Sequence, residues 1–322
     1  MGKHTLITLV IGLLVLSPKA RAEENKEQDE AVAAIEKQGG RVEVDAARPG
    51  KPVIAVTLTG DKVTDAGLVH LKSLTQLQRL DLTATHVTDE GLPHLKELKQ
   101  LRTLHLRYTN VTDAGLKHLA GFERLEDLSL QFSKVTDKGL PELKDFARLR
   151  TLNLSFTDIT DAGLKDIGGL KLLTELDLSE TKVSDKGLEH LRGLAQLRAL
   201  KLDNTRVAGE GLPHLKGLAS LESLTLFPGA TRHHLKHLSA LTQLRALDLR
   251  SGDITDTDLA HLKGLIKLRE LSLYDTEISD VGLAHLKDLT ELRFLDLRGT
   301  KVSRAGVEKL RKELPKAKVA GN

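Results

Sequence analysis

Leucine residues recur along most of this chain with two alternating spacings, one of three residues and one of two. Leu68, Leu71 and Leu74 show the first spacing, and the run LDL at positions 80–82 shows the second. A period of two predicts a short β-strand with one buried face, and the three-residue spacing predicts a short helix with one apolar stripe. Each unit of the pattern therefore combines one strand with one helix.

The same unit occurs ten times, with the consensus V-T-D-x-G-L-x-x-L-x-x-L-x-x-L-x-x-L-x-L-x-x-T-x. All units have 24 residues except the seventh, which has 23, and they begin at Val63, Val87, Val111, Val135, Ile159, Val183, Val207, Ala230, Ile254 and Ile278. One strand and one helix cannot bury an apolar face alone, so stacked units must share a core. The predicted fold is an α/β right-handed solenoid, with a concave parallel sheet and convex helices.

The strand half of the unit, L-x-x-L-x-L-x-x-T-x-[VI], resembles the leucine-rich repeat. Threonine stands where that family usually has Asn or Cys, at Thr85, Thr109, Thr157, Thr181, Thr205, Thr276 and Thr300. The helical half, TDxGL, is similar to the subtype of ribonuclease inhibitor and of F-box repeat domains, and to exported planctomycete-type proteins. The resemblance implies a protein that binds other proteins and does not catalyse a reaction.

Four segments are predicted: a signal peptide at 1–22, an N-terminal cap at 23–62, the repeats at 63–301 and a C-terminal cap at 302–322. In the N-terminal cap, Ala31–Lys37 is expected to be a short helix after a loose polar stretch at Glu23–Glu30. Strands are expected at Arg41–Val44 and Val53–Leu58, and a last strand within Lys316–Val319.

An export signal is predicted at the N-terminus. Lys3 and His4 precede the eleven-residue apolar stretch Leu6–Leu16, which is shorter than the roughly 20 residues of a membrane-spanning helix. Ala20-Arg21-Ala22 has the small-x-small pattern of a cleavage site. We therefore expect an exported protein that is cleaved near Ala22; the alternatives are an uncleaved anchor or a buried N-terminal helix.

Charge and cysteine content narrow the possible partners. Residues 1–22 contain three basic residues and no acidic one, so cleavage leaves 45 basic and 45 acidic side chains. A neutral mature chain lacks the electrostatic signature of nucleic-acid binding. The chain contains no cysteine, which excludes disulfides and thiolate metal sites.

Aromatic residues give the strongest candidate site. Tyr108, Phe132 and Phe156 occupy one position in three successive units, just after the strand. Because neighbouring strands lie about 4.8 Å apart, their rings are expected to stack into an exposed stripe beside His105 and Arg107. Two alternatives remain: the rings could cover the edge of the core, and the concave side could be a solvated polar surface.

A second, looser aromatic group contains Phe227, Tyr274 and Phe294. Phe227 lies where the repeat is irregular, because Ala208-Gly209 replaces TD in unit seven and Arg232-His233-His234 replaces DxG in unit eight. The segment Phe227–His237 is interpreted as a local kink, with a binding feature or a His233–His237 metal site as alternatives.

The remaining polar columns are interpreted as structural. The aspartate of TDxGL, as in Asp65, is expected to cap the helix that follows it, and the histidines before the second helix leucine are expected at the convex surface. No enzyme motif is present, and no metal or cofactor is expected. The preferred function is a monomeric module that binds a protein ligand on the concave sheet. Alternatives are glycan binding through the aromatic stripe, an intracellular ubiquitin-ligase receptor and a hydrolase.

Overall fold

The computed structural model describes residues 18–226 and 234–321, which form thirteen short strands joined by short convex helices. The strands are β1 (Arg41–Val44), β2 (Val53–Thr57), β3 (Arg79–Asp81), β4 (Thr103–His105), β5 (Asp127–Ser129), β6 (Thr151–Asn153), β7 (Glu175–Asp177), β8 (Ala199–Lys201), β9 (Ser223–Thr225), β10 (Ala246–Asp248), β11 (Glu270–Ser272), β12 (Phe294–Asp296) and β13 (Lys318–Ala320).

All thirteen strands form one sheet in chain order. β1 and β2 pair antiparallel, and every later neighbouring pair is parallel. The register is constant, so that Leu80 of β3 pairs with Leu104 of β4 and Leu104 pairs with Leu128 of β5. This arrangement is the predicted open solenoid, with strands in both caps.

The convex elements are short. The α-helices are α1 (Pro18–Lys37), α2 (Asp65–Leu68), α3 (Asp113–Leu116), α4 (Asp161–Ile167) and α5 (Arg304–Glu313). The 3-10 helices are Val69–Ser73, Leu92–Leu95, Lys117–Leu119, Leu140–Asp145, Asp185–Gly193, Leu212–Gly217, Leu235–Ala240, Asp258–Leu262 and Gly282–His285. A 3-10 helix has three residues per turn, so leucines spaced by three residues all face the core.

The N-terminal cap differs from the prediction in one respect. α1 begins at Pro18 and continues to Lys37, so Glu23–Glu30 is helical and not a loose stretch. The predicted cleavage position at Ala22 lies within α1, while the apolar stretch Leu6–Leu16 lies outside the described residues. No helix in the described part of the chain combines the length and apolarity needed to cross a membrane.

The core is a continuous column of leucine. The repeat leucines, such as Leu80, Leu104 and Leu128, are inaccessible to solvent in unit after unit. Phe122 and Phe146 replace core leucines and are also buried. The alternation along each strand therefore leaves three rows of side chains on the concave side, represented in β12 and its extension by Phe294, Asp296 and Arg298.

The repeat aspartates join successive units, which differs from the predicted capping role. The N-cap of α3 is Thr112, whose side chain accepts a hydrogen bond from the backbone N–H of Ala114. Asp113 follows in the first turn, and its Oδ1 and Oδ2 accept from the backbone N–H and the hydroxyl of Thr136 in the next unit, both at 2.7 Å. The same pair of bonds is made by Asp65, Asp89, Asp137, Asp161, Asp256 and Asp280.

Glycine is required beside this junction for a steric reason. A Cβ on Gly139 would lie 2.6 Å from Oδ1 of Asp113 and 2.9 Å from Cδ1 of Leu116. The consensus TDxGL therefore encodes one contact between units, in which the aspartate of one unit occupies the space left by the glycine of the next.

The repeat threonines close the turn after each strand. In Thr85, Thr109, Thr157, Thr181, Thr205, Thr276 and Thr300 the hydroxyl donates to the carbonyl oxygen three residues earlier, at 2.5–2.8 Å. This bond satisfies a carbonyl group at the end of a buried strand.

Candidate functional site

Tyr108, Phe132 and Phe156 form a continuous stack, which we call the aromatic stack. The ring centroids of Tyr108 and Phe132 are 4.1 Å apart, and those of Phe132 and Phe156 are 3.9 Å apart, with interplanar angles of 15° and 13°. Tyr108 is 45% exposed and Phe156 is 40% exposed. The stacking expected from the 24-residue spacing is therefore present, and the stack remains accessible to solvent.

The backbone at the aromatic stack has an unusual conformation. Tyr108, Phe132 and Phe156 have φ values of 53°, 55° and 57°, in the left-handed region. The turn imposes this conformation throughout the column, which holds Ala84, Glu180, Asn204, Ser251, Asp275 and Gly299 in other units. Bulky L-residues are uncommon there, at a cost of about 1–2 kcal/mol per residue.

The stack lies at the rim of the sheet, where the chain leaves the concave side. Two shallow depressions run along it on the side away from the concave rows. His86, Asn110 and Lys134 line the first depression with Tyr108 and Phe132. Lys134, Asp158 and Glu180 line the second with Phe132 and Phe156.

His105 and Arg107 lie on the concave side beside the stack, as predicted. Arg107 holds its guanidinium carbon 4.9 Å from the ring centroid of Tyr108, a cation–π contact. His105 Nε2 lies 3.4 Å from Oδ2 of Asp127 on the neighbouring strand. The hydrogen bond to Asp127 and the charges of Asp127 and Asp81 raise the pKa of His105, although burial acts in the opposite direction.

The second aromatic group lines a different part of the concave side. Tyr274 and Phe294 border a cavity of about 710 Å³ above β9–β12, which we call the C-terminal cavity. Phe227 lies outside the described residues, so its predicted place in this group is not addressed by the structure. The sequence columns contain the other cavity residues, but the spacing of the repeats alone gave no reason to select them.

The irregular units show how the aspartate–glycine contact is replaced. Residues 227–233 lie outside the described part, and with them most of the predicted kink and His233. At the junction of units six and seven, Ala208 stands where other units have a threonine or serine. Asp185 there accepts hydrogen bonds from the backbone N–H groups of Ala208, Gly209 and Gly211. At the next junction, Gly209 stands at the consensus aspartate position and His234 at the consensus glycine position. A Cβ on Gly209 would lie 2.8 Å from Cβ of His234, so the small and the large residue of this contact have exchanged places.

Unit nine forms the equivalent hydrogen bonds within a single unit. Asp258 stands at the consensus glycine position and is buried, and its Oδ2 accepts from the backbone N–H and the hydroxyl of Thr255 at 2.9 and 2.7 Å. These are the two bonds that an aspartate of the preceding unit makes elsewhere. Among residues 18–226 and 234–321, no three His, Asp or Glu side chains are grouped as ligands of one metal ion.

Three family models match the chain. A leucine-rich repeat region matches residues 115–257, and two further leucine-rich repeat models match residues 242–302 and 93–120. The chain is a leucine-rich repeat protein. No protein of curated function matches the sequence significantly.

Solved structures with the same architecture come from several kinds of protein. An internalin from Listeria monocytogenes, inlF, is 19% identical with a TM-score of 0.65, over 97% of this chain and 94% of that one. The TLR13–ssRNA13 complex is 21% identical, with a TM-score of 0.55 over 78% of this chain and 40% of that one.

The PEPR1–AtPEP1 complex is 20% identical, with a TM-score of 0.50 over 86% of this chain and 43% of that one. The chain therefore spans nearly the full length of the internalin structure and less than half of the other two. At these identities the likeness establishes the horseshoe fold and nothing further.

Proposed function

We propose that this protein is an exported, non-catalytic module that binds a partner protein through the aromatic stack and the adjoining concave residues His105 and Arg107. The observation that carries this proposal is the left-handed backbone of three successive aromatic residues, of which Tyr108 and Phe156 are exposed. Strained, exposed residues are retained at positions where another property of the side chain is needed.

The fold itself does not require aromatic residues in this column. Ala84 precedes the stack and Glu180 follows it, and both have the same left-handed φ as the rings. Stacking offsets part of the strain, since aromatic pairs contribute about 0.5–1.5 kcal/mol beyond buried area. Glycine would avoid the strain and Asn or Asp would reduce it, so the exposed apolar surface is the feature that remains to be explained.

The orientation of the rings favours a protein partner over a glycan. Phe132 has a ring on each side, and Tyr108 has Phe132 on one face and the Arg107 guanidinium over the ring. Apart from the outer face of Phe156, the stack therefore offers ring edges, whereas sugars pack on open ring faces. Ring edges carry partial positive charge and suit carbonyl and carboxylate oxygens, which a polypeptide supplies.

Export, the absence of catalysis, the monomeric state and the Thr-type helical subtype belong to the same proposal. The apolar stretch Leu6–Leu16 and the cleavage-site pattern Ala20-Arg21-Ala22 support export. Leucine fills the interior of the described part of the chain, which supports a binding role over a catalytic one. The seven threonine hydroxyls that bond to strand carbonyls support the Thr-type subtype.

A comparative capture experiment tests the proposed partner surface. The protein and a variant with Tyr108, Phe132 and Phe156 changed to Ala would be immobilised at equal density and exposed to secreted and surface proteins from the source cells. We expect a partner that the unchanged protein retains and the variant loses. A control variant, Ile266→Ala with Val281→Ala, removes exposed apolar side chains elsewhere, which are 59% and 71% exposed.

Equal capture by the protein and the triple variant would refute a role of the stack. Loss of the partner in the control variant as well would indicate non-specific apolar retention. Unfolding midpoints of all three proteins would establish that each is folded.

A further inference from the structure

The C-terminal cavity has a different construction from the aromatic stack. Its floor consists of Asp248, Ser272 and Asp296, which lie side by side in the middle concave row of β10, β11 and β12. Arg250, Tyr274 and Arg298 follow two residues later, just past the ends of these three strands. The cavity thus combines an aromatic ring with a regular set of donors and acceptors.

Each arginine pairs with the aspartate two residues before it in the chain. Arg298 donates from Nε and Nη2 to Oδ1 and Oδ2 of Asp296, at 2.9 and 2.7 Å. Arg250 approaches Oδ2 of Asp248 with Nη2 at 2.7 Å. Paired planar groups are already oriented before a ligand arrives, so little side-chain entropy is lost on binding.

The two pairs flank one exposed ring. Tyr274 is 41% exposed, and the guanidinium carbon of Arg298 lies 5.7 Å from its ring centroid. Among the described residues, no other aromatic ring stacks on Tyr274. Within the described part of the chain, Tyr274 therefore differs from Phe132, which lies between two other rings.

A second ring bounds the opposite end of the cavity. Phe294 is 37% exposed and pairs with Glu270 in the first concave row. Tyr274 lies four residues beyond Glu270 along the chain, past the end of β11, and lines the same cavity. The polar floor therefore lies between two aromatic borders, within a volume typical of small-ligand sites.

The charges of the cavity disfavour a charged ligand. Both guanidinium groups are paired with carboxylates, and Glu270 adds a further negative charge at the wall. An anion would meet three carboxylates, and a cation would meet two guanidinium groups. A neutral molecule avoids both penalties and can still use guanidinium N–H groups and carboxylate lone pairs.

We propose that the C-terminal cavity binds a neutral sugar unit of a glycan. A sugar hydroxyl is both a donor and an acceptor, so adjacent hydroxyls can donate to a carboxylate and accept from its paired guanidinium. The apolar face of a sugar ring would pack on Tyr274. This site is separate from the aromatic stack and does not depend on the proposed protein partner.

The inference can be tested by screening the full chain and two variants on an array of neutral and acidic glycans. Tyr274→Ala removes the ring, and Arg298→Lys keeps the charge but loses the planar fork. Ser179→Ala is the matched control, because it changes the equivalent position four units earlier. We expect neutral glycans to be retained by the protein and the control, and at least tenfold less by each of the other variants.

Tyrosine fluorescence gives an independent readout. The chain has two tyrosines and no tryptophan, so Tyr274 is the sole fluorescent reporter in a Tyr108→Phe background. Titration with the neutral glycan selected on the array should change its emission, with an affinity that is unaffected by added salt.

Three outcomes would overturn the proposal. The first is that no glycan distinguishes the protein from the folded Tyr274→Ala and Arg298→Lys variants. The second is that only acidic glycans bind and that salt abolishes their binding, which would define an anion site. The third is that the selected neutral glycan leaves the emission of Tyr274 unchanged.

Discussion

Asp113 and Gly139 belong to successive repeats and approach so closely that a Cβ on the glycine would lie 2.6 Å from the aspartate Oδ1. The same carboxylate accepts two hydrogen bonds from Thr136, so one aspartate fixes both the spacing and the bonding of two units. This contact recurs along the solenoid and is exchanged for other residue pairs only where the repeat becomes irregular.

The first prediction is that Asp113 and Gly139 are energetically coupled. Asp113→Ala leaves Thr136 without its acceptor and should lower the free energy of unfolding by about 1–3 kcal/mol. Gly139→Ala overpacks the junction and should cost about 1–3 kcal/mol. The double variant should cost at least about 0.5 kcal/mol less than the sum, because the carboxylate that clashes is absent.

Urea unfolding of the four proteins measures this coupling. Asp113→Ala combined with Gly187→Ala is the matched control, since these residues lie in different junctions and their effects should add. Strict additivity of the Asp113 and Gly139 changes would contradict the steric interpretation of the TDxGL motif.

The second prediction concerns the strain in the aromatic stack. Phe156→Asn loses one stacking contact, worth about 0.5–1.5 kcal/mol. It also relieves a left-handed backbone strain of about 1–2 kcal/mol, because Asn tolerates that conformation. The two effects oppose each other, so the free energy of unfolding should change by less than about 1 kcal/mol.

The buried Phe146 provides the comparison for this measurement. Phe146→Ala should cost about 3–5 kcal/mol, as expected for an aromatic side chain that is only 2% exposed. A comparable loss in Phe156→Asn would mean that the stack stabilises the fold, which removes the argument for a binding role.

These residues also show what the sequence could and could not predict. The 24-residue period places Tyr108, Phe132 and Phe156 at equivalent positions, so their stacking follows from strand spacing alone. The role of Asp113 did not follow, because its acceptor atoms face the next unit and the local rule for helix capping takes no account of that unit. The same limitation applies to Asp258. Its bonds to Thr255 replace those of the consensus aspartate, which the preceding repeat lacks.

The C-terminal cavity was less predictable for a related reason. The columns containing Arg250, Tyr274 and Arg298 could be read from the sequence, but their pairing with Asp248 and Asp296 depends on rotamers. Mixed charge in a column is typical of any solvated sheet face, and only the distances distinguish a solvated surface from preoriented pairs.

The third prediction is that the His105–Asp127 contact stabilises the protein most at acidic pH. The pKa of His105 is raised, chiefly by its hydrogen bond to Asp127, above the ordinary value of 6.5. The stabilisation that this contact provides is therefore fully present at pH values below 6.5, and it is lost as the pH rises through the raised pKa of His105. The difference in unfolding midpoint between the protein and Asp127→Asn should be larger at pH 5.5 than at pH 8.5.

Asp158→Asn serves as the control, because it removes a carboxylate near the stack that does not contact His105. Its difference in unfolding midpoint from the unchanged protein should be similar at pH 5.5 and pH 8.5. An Asp127→Asn effect that is equal at the two values, or greater at pH 8.5, would show that the charge on His105 does not contribute.

The final prediction is that Arg298 keeps Asp296 ionised and stabilising. The hydrogen bond from Arg298 holds the pKa of Asp296 below its ordinary value of 3.8, although burial opposes this effect. The contribution is therefore present above 3.8 and is lost as the pH falls through the lowered value. Arg298→Ala should raise the pKa of Asp296 in a carboxyl NMR titration, and it should destabilise the protein more at pH 7 than at pH 3.

Arg298→Lys should give an intermediate pKa, since it keeps the charge but not both hydrogen bonds. An unchanged Asp296 titration in Arg298→Ala would show that the paired geometry has no energetic consequence.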